Sequence, residues 1–186
     1  MADVSIVLIH YPVLDKNGQI VTSALTNMDI HDIARSARTY GVRRFYVAIP
    51  VKPLQILALK IMEHWETGYG STYNVTRKDA LGLVRLEQDL DTTIIALERE
   101  FGERPRLVMT SARGGPNRTP FSTLRSELER SPEHHLIVLG TGWGLAPEVM
   151  ERADVILEPV LGPTDYNHLS VRSAAAVILD RLLSAG

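Results

Sequence analysis

Short apolar segments alternate along this chain with longer segments in which apolar residues recur every three or four positions. Runs of aliphatic and β-branched residues occupy 4–10, 45–49, 106–112, 135–140 and 154–160, a pattern typical of strands buried on both faces of a sheet. Residues 80–86 are ambiguous and are predicted as a sixth strand. Helical spacing predicts helices over 27–40, 54–65, 90–102, 121–130 and about 170–184. This alternation predicts one α/β domain over 1–186, with a mostly parallel sheet of about six strands flanked by helices.

The connecting segments suggest where a ligand would bind. Residues 11–25 and 68–74 are predicted loops, rich in glycine, proline, asparagine or aspartate. Three strands end in unusual sequences: TSARGGPNR (110–118), GTGWGL (140–145) and EPVLGPTDYNHLS (158–170). Glycine-rich backbone can pass close to a ligand. Because parallel strands end at a common edge of the sheet, where ligands bind, the three segments predict one site.

Composition excludes several functional classes. The formal net charge is −2 and the pI about 6.3, so bulk electrostatics does not indicate a nucleic-acid binder. The chain holds 16 Arg and 4 Lys; arginine binds phosphate better, although genomic base composition would also explain the bias. The absence of cysteine excludes disulfides and thiolate catalysis. We found neither a signal peptide nor a membrane span, and no metal site stands out, so we expect a cytoplasmic protein with no membrane or metal partner. His134 and His135 are expected at the surface.

The glycines of GTGWGL admit two simple explanations. A dinucleotide-binding fingerprint has glycines at its first, third and sixth positions, whereas Gly140, Gly142 and Gly144 are first, third and fifth. A tight turn would also need glycine. Trp143, between two of the glycines, is expected to pack beside this loop or at a subunit interface.

Three segments, in order, resemble a known superfamily. They are DIHDIARSARTYGVRRFYVA (29–48), LGTGWGL (139–145) and ILEPVLGPTDYNHLSVRSAAAVILDRL (156–182). Together they resemble the SPOUT superfamily, the trefoil-knotted RNA methyltransferases that use S-adenosylmethionine. The likeness is closest to small stand-alone members related to the tRNA guanine-N1 methyltransferases. Asp29 and His31 replace the asparagine and glycine usual in the first motif.

The resemblance implies a deep C-terminal trefoil knot and a cofactor site made by loops. The last helix would thread a loop, which requires small side chains such as Ala174 to Ala176. Leu145, Val160, Leu161 and Leu169 would enclose the adenine of S-adenosylmethionine. The full set of cofactor-binding residues that the resemblance implies is Thr110, Ser111, Leu139, Gly140, Thr141, Gly142, Gly144, Leu145, Val160, Leu161, Gly162, Asn167, His168, Leu169 and Ser170.

The resemblance also implies catalytic and substrate-binding residues. Arg35 would lie near the methyl acceptor, Asp29 would act with it as a base, and Arg172 would face the substrate or the cofactor carboxylate. Arg35 in a surface ion pair and Asp29 at a helix N-terminus are the structural alternatives. Arg113 and Arg118 would anchor RNA phosphates, unless 113–119 is an ordinary mobile loop. Asn167 and Ser170 would serve equally well as caps of the final helix.

Superfamily members are homodimers, which implies that the first and last helices form an interface. Three hypotheses remain open at this point. The first is an S-adenosylmethionine-dependent methyltransferase acting on tRNA or rRNA. The second is a non-catalytic SPOUT domain that binds the cofactor or RNA. The third is a Rossmann-type nucleotide enzyme with an unknotted chain, against which the glycine spacing already counts.

Overall fold

The computed structural model describes residues 2–185 and has a single parallel sheet at its centre. The strands of the chain are β1 (Val4–Ile9), β2 (Val13–Leu14), β3 (Ile20–Val21), β4 (Phe45–Ala48), β5 (Val84–Glu87), β6 (Arg106–Met109), β7 (His135–Gly140) and β8 (Val155–Ile156). The helices are α1 (Asn27–Thr39), α2 (Lys52–Glu66), α3 (Gly70–Tyr73), α4 (Val75–Leu81), α5 (Leu90–Phe101), α6 (Phe121–Arg130), α7 (Pro147–Met150) and α8 (Val171–Leu183).

The order of strands creates a crevice at the centre of the sheet. The six-stranded sheet runs β5-β4-β1-β7-β6-β8, and every pairing in it is parallel. The chain proceeds outward from β1 to β4 and β5, then returns to build β6 and β7 on the other side of β1. The reversal lies between β1 and β7, where the connections leave the sheet in opposite directions. Such a switch point is where open α/β sheets bind ligands. The predicted mostly parallel, six-stranded α/β architecture is therefore confirmed.

Alternate residues of the central strand enter separate cores. Ile6 and Leu8 of β1 pack in a cluster with α1, α6 and α8, whereas Val7 and Ile9 pack in a cluster with α5 and α7. All four residues are 0% exposed. This period of two explains why β1 reads as a continuous apolar run: both faces of a helix-covered parallel strand are buried.

Side-chain caps fix where three of the main helices begin. Thr26 and Asp29 form a reciprocal capping box at the start of α1, and Asp89 and Thr92 form another at α5. At α8, the hydroxyl of Ser170 accepts a hydrogen bond from the backbone N–H of Ser173 at 3.2 Å. These bonds satisfy N–H groups that have no partner within the helix.

Apart from two strands that are shorter than predicted, Arg106–Met109 for 106–112 and Val155–Ile156 for 154–160, three segments differ from the sequence prediction. Residues 80–86 were predicted as a strand, but Ala80 and Leu81 form the buried last turn of α4, and the strand starts at Val84. The side chain of Asn74 caps α4 by accepting from the N–H of Arg77 at 2.9 Å. The short apolar run was thus ambiguous because it joins a buried helix end to a buried strand.

The two remaining differences lie in predicted loops. Residues 68–74 contain the single turn of α3, and residues 11–25 contain the antiparallel β2–β3 hairpin. None of the helices between residues 2 and 185 has the length and apolar character that a membrane crossing requires. The knot and the single-domain assignment stay predictions.

Candidate functional site

A cavity of about 780 Å³ opens at the carboxyl edge of the sheet, beside the β1–β7 switch point. Its volume is within the range of small-molecule sites. All three segments singled out in the sequence contribute to its wall. The lining residues are Ser23, Ala24, Asp29, Thr110, Ser111, Ala112, Arg113, Leu139, Gly140, Thr141, Gly142, Trp143, Gly144, Glu158, Val160, Asn167, His168, Leu169, Ser170, Val171, Ala174 and Ile178.

The loop after β7 is held against the β2–β3 hairpin by its glycines. Gly142 and Gly144 have φ angles of 60° and 109°, in a region that other residues rarely adopt. A Cβ on Gly142 would lie 2.9 Å from the carbonyl oxygen of Leu14. A Cβ on Gly140 would lie 2.8 Å from Cγ of Leu145. The spacing of these glycines therefore follows from close packing within the protein, in agreement with the tight-turn explanation.

The loop after β8 closes the opposite wall of the cavity. The side-chain amide of Asn167 donates to the carbonyl oxygen of Ala112 at 2.7 Å, which ties this loop to the one after β6. Ser170 caps α8 and also lines the cavity, whereas Asn167 is not the cap. Glu158 lines the cavity too, and its Oε1 accepts from the N–H of Phe121 at the start of α6 at 2.8 Å.

A chain of hydrogen bonds connects buried His10 to two partly buried hydroxyl groups that line the cavity, those of Ser23 and Thr141. Nδ1 of His10 is 2.9 Å from the hydroxyl of Ser23, which is hydrogen-bonded to the hydroxyl of Thr141. Thr141 in turn donates to the carbonyl oxygen of Ile9 at 3.1 Å. Burial lowers the pKa of His10 to about 4, against an opposing effect of Asp29, so the imidazole is neutral at pH 7. Within residues 2–185, Nε2 of His10 has no hydrogen-bond partner.

Among the three predicted catalytic residues, only Asp29 lines the cavity. It is 8% exposed, and its Oδ1 lies 3.7 Å from Nε of Arg172, which also approaches Asp32 at 4.0 Å. Arg172 thus joins α8 to the start of α1 beside the cavity. Arg35 lies on the exposed side of α1. The catalytic roles of all three residues stay predictions.

Most of the predicted cofactor residues lie together. All line the cavity except Leu145, Leu161 and Gly162. Leu145 is 6% exposed and packs in the core behind Gly140. Leu161 is 59% exposed, and a Cβ on Gly162 would meet no atom within 4 Å. These two follow Val160, which lines the cavity, and the loop returns to the cavity at Asn167.

The two arginines proposed for RNA binding lie in different surroundings. Arg113 lines the cavity and is exposed. Arg118 is not a lining residue, and its guanidinium lies beside Gly115 of the same loop, where a Cβ would be 3.5 Å from Nη2. Of the two, Arg113 has the position expected of a group that holds a substrate near the cavity.

Sequence reasoning missed several lining residues. Ser23 and Ala24 were not considered because residues 11–25 were treated only as a loop, although that segment follows the carboxyl end of a central strand. Trp143 was not in the predicted site, and it lines the cavity and is 56% exposed; its packing at a subunit interface stays a prediction. The other missed residues are Ala112, Glu158, Val171, Ala174 and Ile178.

The prediction for two histidines was wrong. His134 and His135 are 2% and 0% exposed, because they enter and begin the central strand β7. Nε2 of His134 is 2.9 Å from the hydroxyl of buried Ser5. Nε2 of His135 is 3.5 Å from Glu127, which forms a 2.6 Å ion pair with Arg106. With Glu133, this is a possible metal-ligand group that lies away from the cavity; the expectation of no metal stays a prediction.

The chemistry of the wall suits S-adenosylmethionine. Leu139, Val160, Leu169 and Ile178 offer apolar surface for a purine ring, and hydroxyl groups offer hydrogen bonds. The carboxylates of Asp29 and Glu158 outnumber the one arginine of the wall. This charge balance suits a ligand that carries a sulfonium and an ammonium group.

Comparison with known proteins agrees with these features. A family model described as SAM-dependent RNA methyltransferase, where SAM is S-adenosylmethionine, matches residues 3–184. An uncharacterized protein of Aquifex aeolicus is 45% identical over 182 residues, which cover 98% of this chain and 89% of that protein. A tRNA (guanine-N(1)-)-methyltransferase of Nitratidesulfovibrio vulgaris is 47% identical over 176 residues. The match covers 95% of this chain but 41% of that relative, so the chain spans about two fifths of it.

A solved structure supports the fold independently. The A. aeolicus TrmH/SpoU tRNA modifying enzyme superposes with a TM-score of 0.55 at 16% identity, over 98% of this chain and 75% of that one. At this identity the likeness concerns the fold alone, which is that of SPOUT methylases. The match over nearly the whole chain decides against the Rossmann alternative: the chain belongs to the family of S-adenosylmethionine-dependent RNA methyltransferases.

Proposed function

We propose that the cavity beside the β1–β7 switch point binds S-adenosylmethionine and that the chain transfers its methyl group to an RNA nucleotide. One observation carries the proposal. The loops after β6, β7 and β8, which are far apart in sequence, converge on one cavity of about 780 Å³ with an apolar wall and two carboxylates. Structural packing alone needs no such opening at the edge of a sheet.

The wall would hold the two ends of the cofactor differently. Val160 and Leu169 come from the loop after β8 and Leu139 from β7, so an adenine ring between them would be enclosed by separate elements. Asp29 lies at the start of α1 and Glu158 at the start of the loop after β8. We place the methionine part toward these carboxylates, because they would attract its ammonium group.

Bound S-adenosylmethionine supplies a methyl group already activated on a sulfonium sulfur, so the protein needs mainly to align the acceptor and remove its proton. Asp29 is the acidic group in the predicted catalytic set that reaches the cavity. We assign it the proton-accepting role, with Arg172, 3.7 Å away, holding the carboxylate in place. Arg35, on the exposed side of the same helix, would approach the acceptor from outside the cavity.

The RNA substrate and the homodimer belong to this proposal. Arg113 extends from the cavity rim and would pair with a phosphate of the substrate. Because α1 and α8 pack together beside the cavity, a dimer formed through them would place a second protomer near the site. An RNA substrate is consistent with a cytoplasmic protein. Since this chain corresponds to two fifths of the named tRNA methyltransferase, the modified nucleotide is not carried over from it.

The first test is calorimetric titration with S-adenosylhomocysteine, the demethylated product. Gly142→Val should abolish binding, because its Cβ would lie 2.9 Å from the carbonyl of Leu14 and its φ of 60° strains any other residue. Gly41→Val is the matched control. It introduces the same side chain at a similar φ of 72°, but with open space around it and outside the cavity wall, so it should bind like the parent.

The outcomes separate the open hypotheses. Binding of S-adenosylhomocysteine by the parent and by Gly41→Val, lost in a folded Gly142→Val, supports the proposed site. Failure of the parent to bind overturns it. Binding without incorporation of labelled methyl groups into any bulk RNA would favour the non-catalytic SPOUT domain.

A further inference from the structure

Trp143 is an exposed aromatic residue held in a fixed place at the cavity. The backbone N–H of Trp143 donates to the carbonyl oxygen of Leu14 at 2.9 Å, and the backbone N–H of Leu14 donates to the carbonyl oxygen of Gly144 at 2.9 Å. This pair of hydrogen bonds fastens both sides of Trp143 to the β2–β3 hairpin. The flanking Gly142 and Gly144 have left-handed φ angles. The backbone at Trp143 is thus fixed, while 56% of the residue remains exposed.

Folding gains little from this arrangement. A tryptophan contributes most to stability when it is fully buried, yet Trp143 does not belong to either apolar cluster of the core. Tyr166 is also exposed, at 70%, but it does not line the cavity and its ring contacts His168 edge-on, 5.6 Å between centroids. Within the described part of the chain, Trp143 is the one Phe, Tyr or Trp that lines the cavity, beside the smaller ring of His168.

We infer that Trp143 is the platform on which the unpaired base of the substrate nucleotide stacks during methyl transfer. An indole is the largest flat surface that a side chain offers to a base, and proteins that recognise single-stranded RNA stack bases on such rings. Arg113 lies on the wall of the same cavity and can hold the adjacent phosphate. The inference rests on the proposed function and specifies its substrate as an unpaired or extruded nucleotide.

This assignment predicts a preference among RNA forms. A base inside a duplex stacks on its neighbours and must be extruded, which costs free energy, before it can reach an aromatic ring. The chain carries a net charge of −2, so general attraction to phosphates is weak and should not mask the contribution of stacking. Binding should therefore discriminate between RNA with unpaired loops and fully paired RNA.

Tryptophan fluorescence can report on this contact alone, because the chain has only two tryptophans and one of them can be replaced. In a Trp65→Phe background Trp143 is the sole indole, and its emission is followed as unfractionated bacterial tRNA or a fully paired RNA duplex is added with saturating S-adenosylhomocysteine. We expect quenching by tRNA and little by the duplex. Trp143→Leu, tested by anisotropy of labelled tRNA with S-adenosylhomocysteine at saturation for each variant, should raise the Kd of tRNA ~5- to ~150-fold, the range for loss of one stacked base.

Tyr73→Leu is the matched control: it removes an aromatic residue that is 74% exposed and stacked on Tyr69, outside the cavity wall. Its tRNA affinity should equal that of the parent. The inference is overturned if tRNA binds without quenching Trp143, if it does not bind, or if Trp143→Leu binds as tightly as the parent. It is also overturned if Trp143→Leu converts a dimer into a monomer, because Trp143 would then serve the subunit interface and not the substrate base. If S-adenosylhomocysteine does not bind the parent, the proposed function fails first, and the two failures are thus distinguishable.

Discussion

His10 should make the stability of this protein depend on pH in a way that one substitution removes. The residue is 0% exposed between β1 and the β2–β3 hairpin. Burial lowers its pKa from 6.5 to about 4 in the folded state, although Asp29 acts in the opposite direction. An unfolded chain would titrate near the ordinary value of 6.5. The unfolded state therefore binds a proton in a range of pH where the folded state does not.

The sign and size follow from this difference. Above pH 6.5 His10 is neutral in both states, and its neutral form stabilises the folded chain fully. As the pH falls from 6.5 toward 4, the unfolded state gains protons first, so the free energy of unfolding falls by up to about 1.4 kcal/mol per pH unit. Over the whole window the loss approaches about 3 kcal/mol, a substantial part of the stability of an ordinary domain.

The assay is urea unfolding followed by circular dichroism at several pH values from 7 to 4. His10→Gln removes the titrating group but retains an amide that can bond Ser23, so its stability should fall less steeply with pH than that of the parent. Ser23→Ala is the matched control. It removes the 2.9 Å hydrogen-bond partner of His10 but leaves the imidazole buried, so the steep dependence should persist.

Comparing the pH dependence of the free energy of unfolding between the parent and a variant cancels the contributions of the other ionisable groups. Burial also lowers the pKa of His31 and His134, and these contribute equally to parent and variants. Parallel curves for the parent and His10→Gln between pH 6.5 and 4 would refute the argument, because His10 would then bind protons equally well in both states.

Two further variants test local claims. Asp89→Ala removes the capping box at α5, in which Oδ1 accepts from the N–H of Thr92 at 2.8 Å; the free energy of unfolding should fall by about 1 kcal/mol, and an unchanged urea midpoint would show that the cap is dispensable. Asp29→Asn keeps an oxygen for the N–H of Thr26 but removes the charge beside Arg172. At saturating S-adenosylmethionine it should lower the transfer of labelled methyl groups into tRNA roughly 10²-fold; a parental rate would remove Asp29 from catalysis.

The central sheet could be predicted from the sequence because a strand buried on both faces is a short, continuous run of apolar residues. Ile6, Leu8, Val7 and Ile9 are all apolar, since each face of β1 is covered by helices. The prediction failed where one apolar run served two elements: Ala80 and Leu81 close α4, whereas Val84 opens β5. Periodicity cannot separate a buried helix turn from a buried strand over so few residues.

Prediction of the site depended on the ends of strands, and it failed where residues met across long distances. Gly140 and Thr141 were predicted to lie at the site because they stand at the end of β7, and Asn167 because it lies in the loop rich in Gly, Pro and Asp; all three line the cavity. Ser23 was missed because only the β2–β3 hairpin returns it to Thr141, 118 positions later in the chain. His135 was predicted at the surface because a polar residue just before an apolar run usually lies there. Its ring is buried, and Nδ1 is 2.9 Å from the carbonyl oxygen of Glu133.

The β2–β3 hairpin fixes the backbone of the loop after β7, although that loop borders an open cavity. The backbone N–H of Trp143 donates to the carbonyl of Leu14 in β2, and the lack of a side chain at Gly142 lets that carbonyl approach. Because the hairpin is also tied to the end of β1, through the N–H of Ser23 donating to the carbonyl of His10 at 2.9 Å, the loop is fixed to the centre of the sheet. A chain with net charge −2 cannot rely on long-range attraction to hold RNA. In the proposed complex, recognition would come from short-range contacts, in which a backbone fixed by the hairpin presents Trp143 and the neighbouring loop presents Arg113.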